Sequence, residues 1–184
     1  MNLANTLSLS RIFLTVPIFI LTYMGENYYP FALIIFIIAS LTDMFDGMAA
    51  RKLNQVTDIG KFLDQICDKI MINTVFIILL SVNLIPGWFV AVIVARDTFV
   101  NGIRLILANR NVVVAADKLG KLKTVLQIVL ISLIYFYYSL FNGGNVNTVL
   151  ESLNIFINIL VYITAFISVF SGINYFVKNS KSIK

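Results

Sequence analysis

The sequence has no histidine, one cysteine (Cys67), three prolines and a single tryptophan. Without histidine there can be neither a Cys/His zinc site nor a His-dependent catalytic dyad. One cysteine cannot close an internal disulfide. Charge is also scarce: Asp, Glu, Lys and Arg make up 12% of 184 residues, against 59% hydrophobic, with mean hydropathy +0.91. An average soluble domain carries roughly 25% charged residues, so this composition is that of an integral membrane protein. Any acid–base chemistry falls to carboxylates, lysines and hydroxyls.

Crossing a hydrocarbon core of about 30 Å takes about 20 apolar residues, and the chain has room for six such runs. The hydropathy pattern predicts helices near 7–24, 31–53, 60–82, 88–108, 119–141 and 152–177. Between them lie turn-forming clusters at Gly25 to Pro30, Pro86-Gly87 and Asn142 to Asn145, and polar connections at Asn54 to Asp58 and Asn109 to Lys118. The expected architecture is all-α, one six-helix transmembrane domain over residues 1–184. The first apolar run lacks a basic segment before it and a small-residue cleavage pattern after it, so it reads as a permanent span.

The predicted loops after helices 1, 3 and 5 contain no Lys or Arg. Arg51, Lys52, Lys61, Arg110, Lys118, Lys121, Lys178, Lys181 and Lys184 fall around the loops after helices 2 and 4 and in the C-terminal tail. By the positive-inside rule, those loops and both termini face the cytoplasm. Tyr28, Tyr29 and Trp88 mark the predicted outer ends, where amphipathic rings favour the interface. The net charge of +5 therefore encodes topology and contact with anionic lipid rather than nucleic-acid binding. A bacterial inner membrane is the simplest location.

Five of the nine acidic residues, Asp43, Asp46, Asp58, Asp64 and Asp68, fall within or beside these apolar runs. Spacings of three (Asp43, Asp46) and four (Asp64, Asp68) put each pair on one helical face. Helices 2 and 3 are consecutive and closely connected, so the reading makes them antiparallel neighbours whose carboxylates converge. Gly47, Ala50 and Gly60 share those stripes and let backbones approach. Each charge at a helix centre costs roughly 2.5–3.5 kcal/mol on the insertion scale, and four carboxylates repel one another. A cation must offset them. Oxygen-only ligands favour a hard divalent ion, and four carboxylates suit a pair of Mg²⁺ or Mn²⁺ ions. The plainer reading, solvated helix ends paired with nearby Lys or Arg, suits any one aspartate better than the set. Asp58 reads as a cap at the start of helix 3. Lys69 and Cys67 read as local charge balance and packing.

From Asp43 to Asp68 the sequence is DxxDGxxAR, eight residues, then GxxxDxxxD. This resembles the signature of the CDP-alcohol phosphatidyltransferases, with all eight fixed positions present: Asp43, Asp46, Gly47, Ala50, Arg51, Gly60, Asp64 and Asp68. The resemblance implies a six-helix membrane enzyme, usually a homodimer, that transfers a phosphatidyl-type group from a CDP-activated donor to an alcohol and releases CMP. It implies that Asp43, Asp46, Asp64 and Asp68 hold two metal ions, that Asp68 is also the general base, and that Gly47, Ala50 and Arg51 line the cytidine-diphosphate site, with Gly60 beside it.

Three further stretches, "NLANTLSLSR", "ARDTFVNGIR" and "GKLKTVLQ", resemble stretches of bacterial phosphatidylglycerolphosphate synthases, a branch of that family. Departures include Ala4 for proline, Ser8 for threonine, Asp97 for glutamate and Ile103 for leucine. This resemblance implies CDP-diacylglycerol as donor and sn-glycerol 3-phosphate as acceptor. Independently, Arg96, Arg104, Lys121 and Lys123 flank the cytoplasmic ends of helices 4 and 5 and suit an anionic acceptor, with Arg104 and Lys121 preferred. Asn5, Ser8 and Arg11 are candidates for the donor phosphates. Alternatives are another acceptor (phosphatidylglycerol, serine or an inositol phosphate) and, from a different class, a divalent-cation transporter. Transport fits less well, because the acids lie in one half of a chain with no visible repeat.

Overall fold

The computed structural model describes the backbone of residues 3–52, 58–109, 118–140 and 148–183, and the side chains within those ranges except 3–10, 43–52, 58–66, Asp68, Asn109, Lys118 and 181–183. Among the described residues the chain is all helical: α1 (Leu3–Tyr23), a 3₁₀ turn (Glu26–Tyr28), α2 (Tyr29–Lys52), α3 (Asp58–Ser81), α4 (Gly87–Asn109), α5 (Lys118–Leu140) and α6 (Thr148–Ile183). The sequence placed all six helices. It set the first too late and missed the 3₁₀ turn. It also stopped the last at 177, whereas α6 runs 36 residues, about 54 Å at 1.5 Å per residue. Lys and Ser near its end weaken the apolar signal without breaking a helix.

Two connections show how local chemistry ends these helices. Gly25 (φ 100°, ψ −172°) occupies backbone space that only glycine visits freely, and its carbonyl accepts the Tyr28 N–H (2.9 Å), winding the 3₁₀ turn. At the end of α3, Asn83 (φ 59°) is left-handed; its N–H donates to the Leu80 carbonyl (3.0 Å) and the Leu84 N–H to that of Leu79 (2.9 Å). This pair of bonds is a Schellman cap built on asparagine rather than glycine. Pro86 then starts α4 by accepting the Phe89 N–H (3.1 Å).

The helices form two triplets. α1 packs on α2 and α3, α6 packs on α4 and α5, and the triplets meet through α2 with α5 and α3 with α4 and α5. The expectation that α2 and α3 are mainly each other's neighbours is corrected: each packs chiefly on α1. A connection of five residues can reach about 17 Å, enough for a third helix to fit between the two it joins. The main core gathers Ile18, Phe36, Phe76, Phe89, Leu130, Ile134 and Tyr135 with their neighbours from all six helices, and a smaller cluster joins Val100, Ile103 and Leu107 of α4 to Tyr175 of α6.

The outer surface is apolar too: Phe13 is 73% exposed, Phe166 70% and Tyr162 66%. Helices that are apolar on both inward and outward faces belong in lipid. By length and composition, Leu119–Leu140 and Thr148–Ser180 each suffice to cross a membrane, while Arg11–Tyr23, Glu26–Thr42 and Lys69–Ser81 are shorter apolar stretches. Serine and threonine hydroxyls donate back to carbonyls in their own helices, as at Thr22 to Ile18 (2.7 Å) and Ser132 to Ile128 (2.9 Å), satisfying groups that lipid cannot.

Phe76 is fully buried and meets Phe89 edge-on at 5.3 Å. Phe76→Ala is expected to lower unfolding free energy in detergent by about 3–5 kcal/mol, whereas Phe166→Ala, facing outward, changes it by less than about 0.5 kcal/mol. Thermal or denaturant unfolding of the two variants checks the contrast.

Candidate functional site

A few long-range contacts fix the register of the bundle. The Thr22 hydroxyl bonds that of Tyr135 (2.8 Å), and Tyr29 meets the Tyr135 ring at 6.0 Å. Trp88 stacks on Tyr162 at 5.3 Å. These contacts put the end of α1, the starts of α2 and α4, the later part of α5 and the earlier part of α6 at one end. The opposite end gathers the start of α1, the end of α2, the starts of α3 and α5, and the ends of α4 and α6. All the candidate residues lie toward that second end. Tyr29, expected at the interface with Tyr28 and Trp88, is instead buried against Tyr135, while Tyr28 and Trp88 are exposed.

Asp43, Asp46, Gly47, Ala50 and Arg51 lie on the last turns of α2, and Gly60, Asp64 and Asp68 on the first three turns of α3. The backbone is helical at both, so spacings of three and four keep each aspartate pair on one face. Their side chains, with those of Asn5 and Ser8, lie outside the described residues. Among the described residues no group of three or more His, Cys, Asp or Glu could hold a metal ion. Arg11 is fully buried on the third turn of α1, where a guanidinium requires polar or anionic company.

The best-defined polar structure lies in α4, α5 and α6. Lys123 Nζ donates to both carboxylate oxygens of Asp97 (2.5 and 2.6 Å). Arg96 donates from Nη1 to Asp97 Oδ1 (3.0 Å), from Nε to the Ser168 carbonyl (3.0 Å) and from Nη2 to Ser171 Oγ (2.7 Å). All three charges are withdrawn from solvent, with side-chain exposures of 10% for Arg96, 2% for Asp97 and 4% for Lys123. Two cations share one carboxylate, so the cluster retains one positive charge inside an apolar bundle. Such a cluster can attract and orient an anion.

Around it runs a seam of polar groups. Thr164, Ser168, Ser171 and Tyr175 follow one face of α6, and Gln127 lies one turn beyond Lys123 on α5. All five are buried. Gln127 Nε2, Thr164 Oγ1, Ser168 Oγ and the Tyr175 hydroxyl have no hydrogen-bond partner among the described residues, which leaves donors and acceptors for a bound molecule or water. Arg104, further along α4, lies over the Tyr175 ring at 5.4 Å. Lys121 is exposed.

The structure thus brings Arg96 and Lys123 together, sets Arg104 apart on an aromatic face and leaves Lys121 at the surface. Sequence reasoning missed Asp97 as the group that joins the first two, and it missed Ser168, Ser171 and Gln127. The signal was present: hydroxyls at helical spacing on α6, and Lys123 with Gln127 four residues apart on α5.

The register also ties this cluster to the aspartates. From the Phe76–Phe89 contact, eight residues back along α3 is Asp68 and eight residues forward along α4 is Asp97. The two positions are therefore level, each about 12 Å along its helix. Lys69, next to Asp68, lies near enough to Lys123 for their charges to repel.

Comparison with known proteins gives a consistent answer. Residues 1–171 match the family profile described as CDP-alcohol phosphatidyltransferase. A Bacillus subtilis (strain 168) protein named CDP-diacylglycerol–glycerol-3-phosphate 3-phosphatidyltransferase is 39% identical over 198 aligned positions, covering 100% of this chain and 97% of its own length. A Rickettsia felis protein of the same name is 36% identical over 177 positions, covering 95% and 93%. One from Mycoplasma pneumoniae, again of that name, is 31% identical over 170 positions, covering 80% and 74%.

Gly172 supports the cluster from behind, since a Cβ there would lie 3.1 Å from Arg96 Cγ. Arg96 cannot easily retreat, because three hydrogen bonds hold it. Gly172→Ala adds this crowding but gains about 1 kcal/mol of helix propensity, so its stability is expected to stay near wild type. Gly172→Val adds two more methyls against the same side chain and is expected to lose about 1–3 kcal/mol by overpacking. Unfolding midpoints of both variants in detergent check this.

Proposed function

The chain belongs to the CDP-alcohol phosphatidyltransferase family, and from that membership we propose that it transfers the phosphatidyl group of CDP-diacylglycerol to sn-glycerol 3-phosphate, giving phosphatidylglycerolphosphate and CMP. The observation that carries this reading is near-full-length similarity to relatives named for that reaction. The buried cluster of Arg96, Asp97 and Lys123 supports an anionic acceptor over a neutral one, because it retains a positive charge.

In this reading all six helices of the single domain cross the membrane, with both termini and the site facing the cytoplasm of a bacterial inner membrane, and the protein works as a homodimer. The Lys and Arg bias of the loops supports that orientation. Asp43, Asp46, Asp64 and Asp68 fit two Mg²⁺ or Mn²⁺ ions: each pair shares a helical face, the ligands are hard oxygens, and four carboxylates otherwise repel. When bound, such ions supply charge neutralisation at the diphosphate and polarise the phosphorus under attack.

The protein's own groups supply the rest. Gly47 and Ala50 keep the helix surface low where cytidine diphosphate approaches, with Gly60 beside it on α3, and Arg51 offers a planar fork to a phosphate. Asn5, Ser8 and Arg11, near the start of α1, help hold the donor phosphates. Asp68 accepts the proton of the acceptor hydroxyl as its oxygen bonds to the donor's β-phosphorus and CMP departs. Arg96, Arg104, Lys121 and Lys123 serve the acceptor's phosphate, with Lys123 and Arg96 at its inner end and Lys121 at its exposed mouth.

Purified protein with CDP-diacylglycerol and Mg²⁺ is expected to release CMP when glycerol 3-phosphate is added, and not when phosphatidylglycerol, serine or inositol 1-phosphate replaces it. Chelation should abolish release, and Asp68→Asn should reduce it by about 10²-fold or more, the range of a lost general base. Release with only another acceptor would overturn the acceptor assignment and keep the chemistry.

A further inference from the structure

Among the acceptor-site candidates, Lys123 is held by a carboxylate that the proposed reaction does not use. A phosphate ligand that was simply free would have its ammonium solvated or swinging on its stem. Here both oxygens of Asp97 take Lys123 Nζ at 2.5 and 2.6 Å, and Oδ1 also takes Arg96 Nη1 at 3.0 Å. Asp97, on α4, is 1% exposed, and its position is level with that of Asp68, each eight residues from the Phe76–Phe89 contact.

Counting donors shows what this contact leaves over. An ammonium has three N–H groups, of which Asp97 takes two. A guanidinium has five, of which Asp97, the Ser168 carbonyl and Ser171 take three. The cluster therefore keeps three charged donors beyond its internal bonds, on side chains whose positions are fixed. Gln127 Nε2, buried one turn from Lys123, is a fourth donor without a partner among the described residues. Fixed donors bind an anion with less loss of freedom than mobile ones.

We propose that Asp97 is a positioning residue of the acceptor site: by clamping Lys123 and bracing Arg96 against α6, it aims their remaining N–H groups at the phosphate of the acceptor. This rests on the reading of the protein as a glycerol 3-phosphate phosphatidyltransferase. Two rival roles make different predictions. If Asp97 only offsets charge, removing it strengthens the positive field and tightens binding of an anionic acceptor. If Asp97 is only a staple between helices, removing it harms stability and both substrates alike. As a positioning residue, its loss leaves two cations facing each other in apolar surroundings. The flexible ammonium then swings away, and the acceptor alone binds more weakly.

The test is steady-state CMP release by the full-length protein in detergent, with each substrate varied at saturating levels of the other, for wild type, Asp97→Asn, Asp97→Glu and the double variant Asp97→Asn/Lys123→Gln. Unfolding midpoints are measured in parallel. Asp97→Asn is expected to raise KM for glycerol 3-phosphate by about tenfold or more, with kcat and KM for CDP-diacylglycerol within about twofold, the pattern of lost acceptor binding. Asp97→Glu should restore most of that KM, because it returns the carboxylate. The double variant removes both charges and keeps a hydrogen-bonding pair, so it should recover the unfolding midpoint while KM stays raised. If Asp97→Asn fails to fold, the double variant is read against Lys123→Gln alone: an acceptor KM no lower than that of Lys123→Gln supports the proposal, and a lower one overturns it. An unchanged or lower acceptor KM in Asp97→Asn, equal losses on both substrates, or a wild-type acceptor KM in the double variant would each overturn the proposal. A folded wild type that ignores glycerol 3-phosphate would overturn the function reading, and this assignment with it.

Discussion

The buried contact between Lys123 and Asp97 is the constraint around which the second helical triplet is arranged. In an apolar bundle neither charge is tolerable alone, since each loses several kcal/mol of hydration. Once they pair, α5 is fixed to α4. The adjacent Arg96, sharing the same carboxylate, must find its remaining partners on α6, where it takes the Ser168 carbonyl and the Ser171 hydroxyl. A Cβ at Gly172 would press on the Arg96 stem, 3.1 Å from its Cγ. Three helices are thus aligned by one carboxylate. A well-packed apolar layer would hold them at least as firmly, so stability alone does not account for charge at this depth.

The two ends of the bundle answer different demands. One end holds Thr22, Tyr29 and Tyr135, where the Thr22 and Tyr135 hydroxyls bond each other and the Tyr29 ring meets that of Tyr135 edge-on. The other end holds charges in excess of their partners and, among the described residues, hydroxyls without any, at Thr164, Ser168 and Tyr175. Buried polar groups left open are costly in a fold selected only for packing. Their clustering along one seam, beside a net positive charge, is what a site for a polar, anionic molecule requires.

Much of this was legible in the sequence. Apolar runs located all six helices, and glycine, proline and asparagine marked their ends, because hydropathy and turn chemistry act locally. The aspartate pattern was legible as a spacing of side chains on helices, which the backbone of α2 and α3 retains. What could not be read were relations set by tertiary packing. Nothing local distinguishes Tyr28 from Tyr29, yet one is exposed and the other is buried against Tyr135. A short connection between α2 and α3 implied that the two are neighbours, but each packs chiefly on α1. Lys123 read only as one of four cations flanking the ends of helices 4 and 5, because its partner lies on another helix, at a position that looked like a conservative substitution.

The division of charge between the triplets bears on how one bundle handles two substrates. α2 and α3 carry Asp43, Asp46, Asp64 and Asp68, while α4 and α5 carry Arg96, Arg104, Lys121 and Lys123. On the proposed reading, the nucleotide diphosphate meets the four aspartates of α2 and α3 through cations and the acceptor phosphate meets the basic residues of α4 and α5 directly. Neither anion is then drawn into the other's place, because a carboxylate face without its cations repels phosphate and a basic face repels cations. On that reading the reacting centre falls between them, at the level of Asp68 and Asp97. Asp97 is an acid set among these basic residues of α4 and α5. Its partners Lys123 and Arg96 outnumber it, so it fixes where the positive charge stands without reversing its sign.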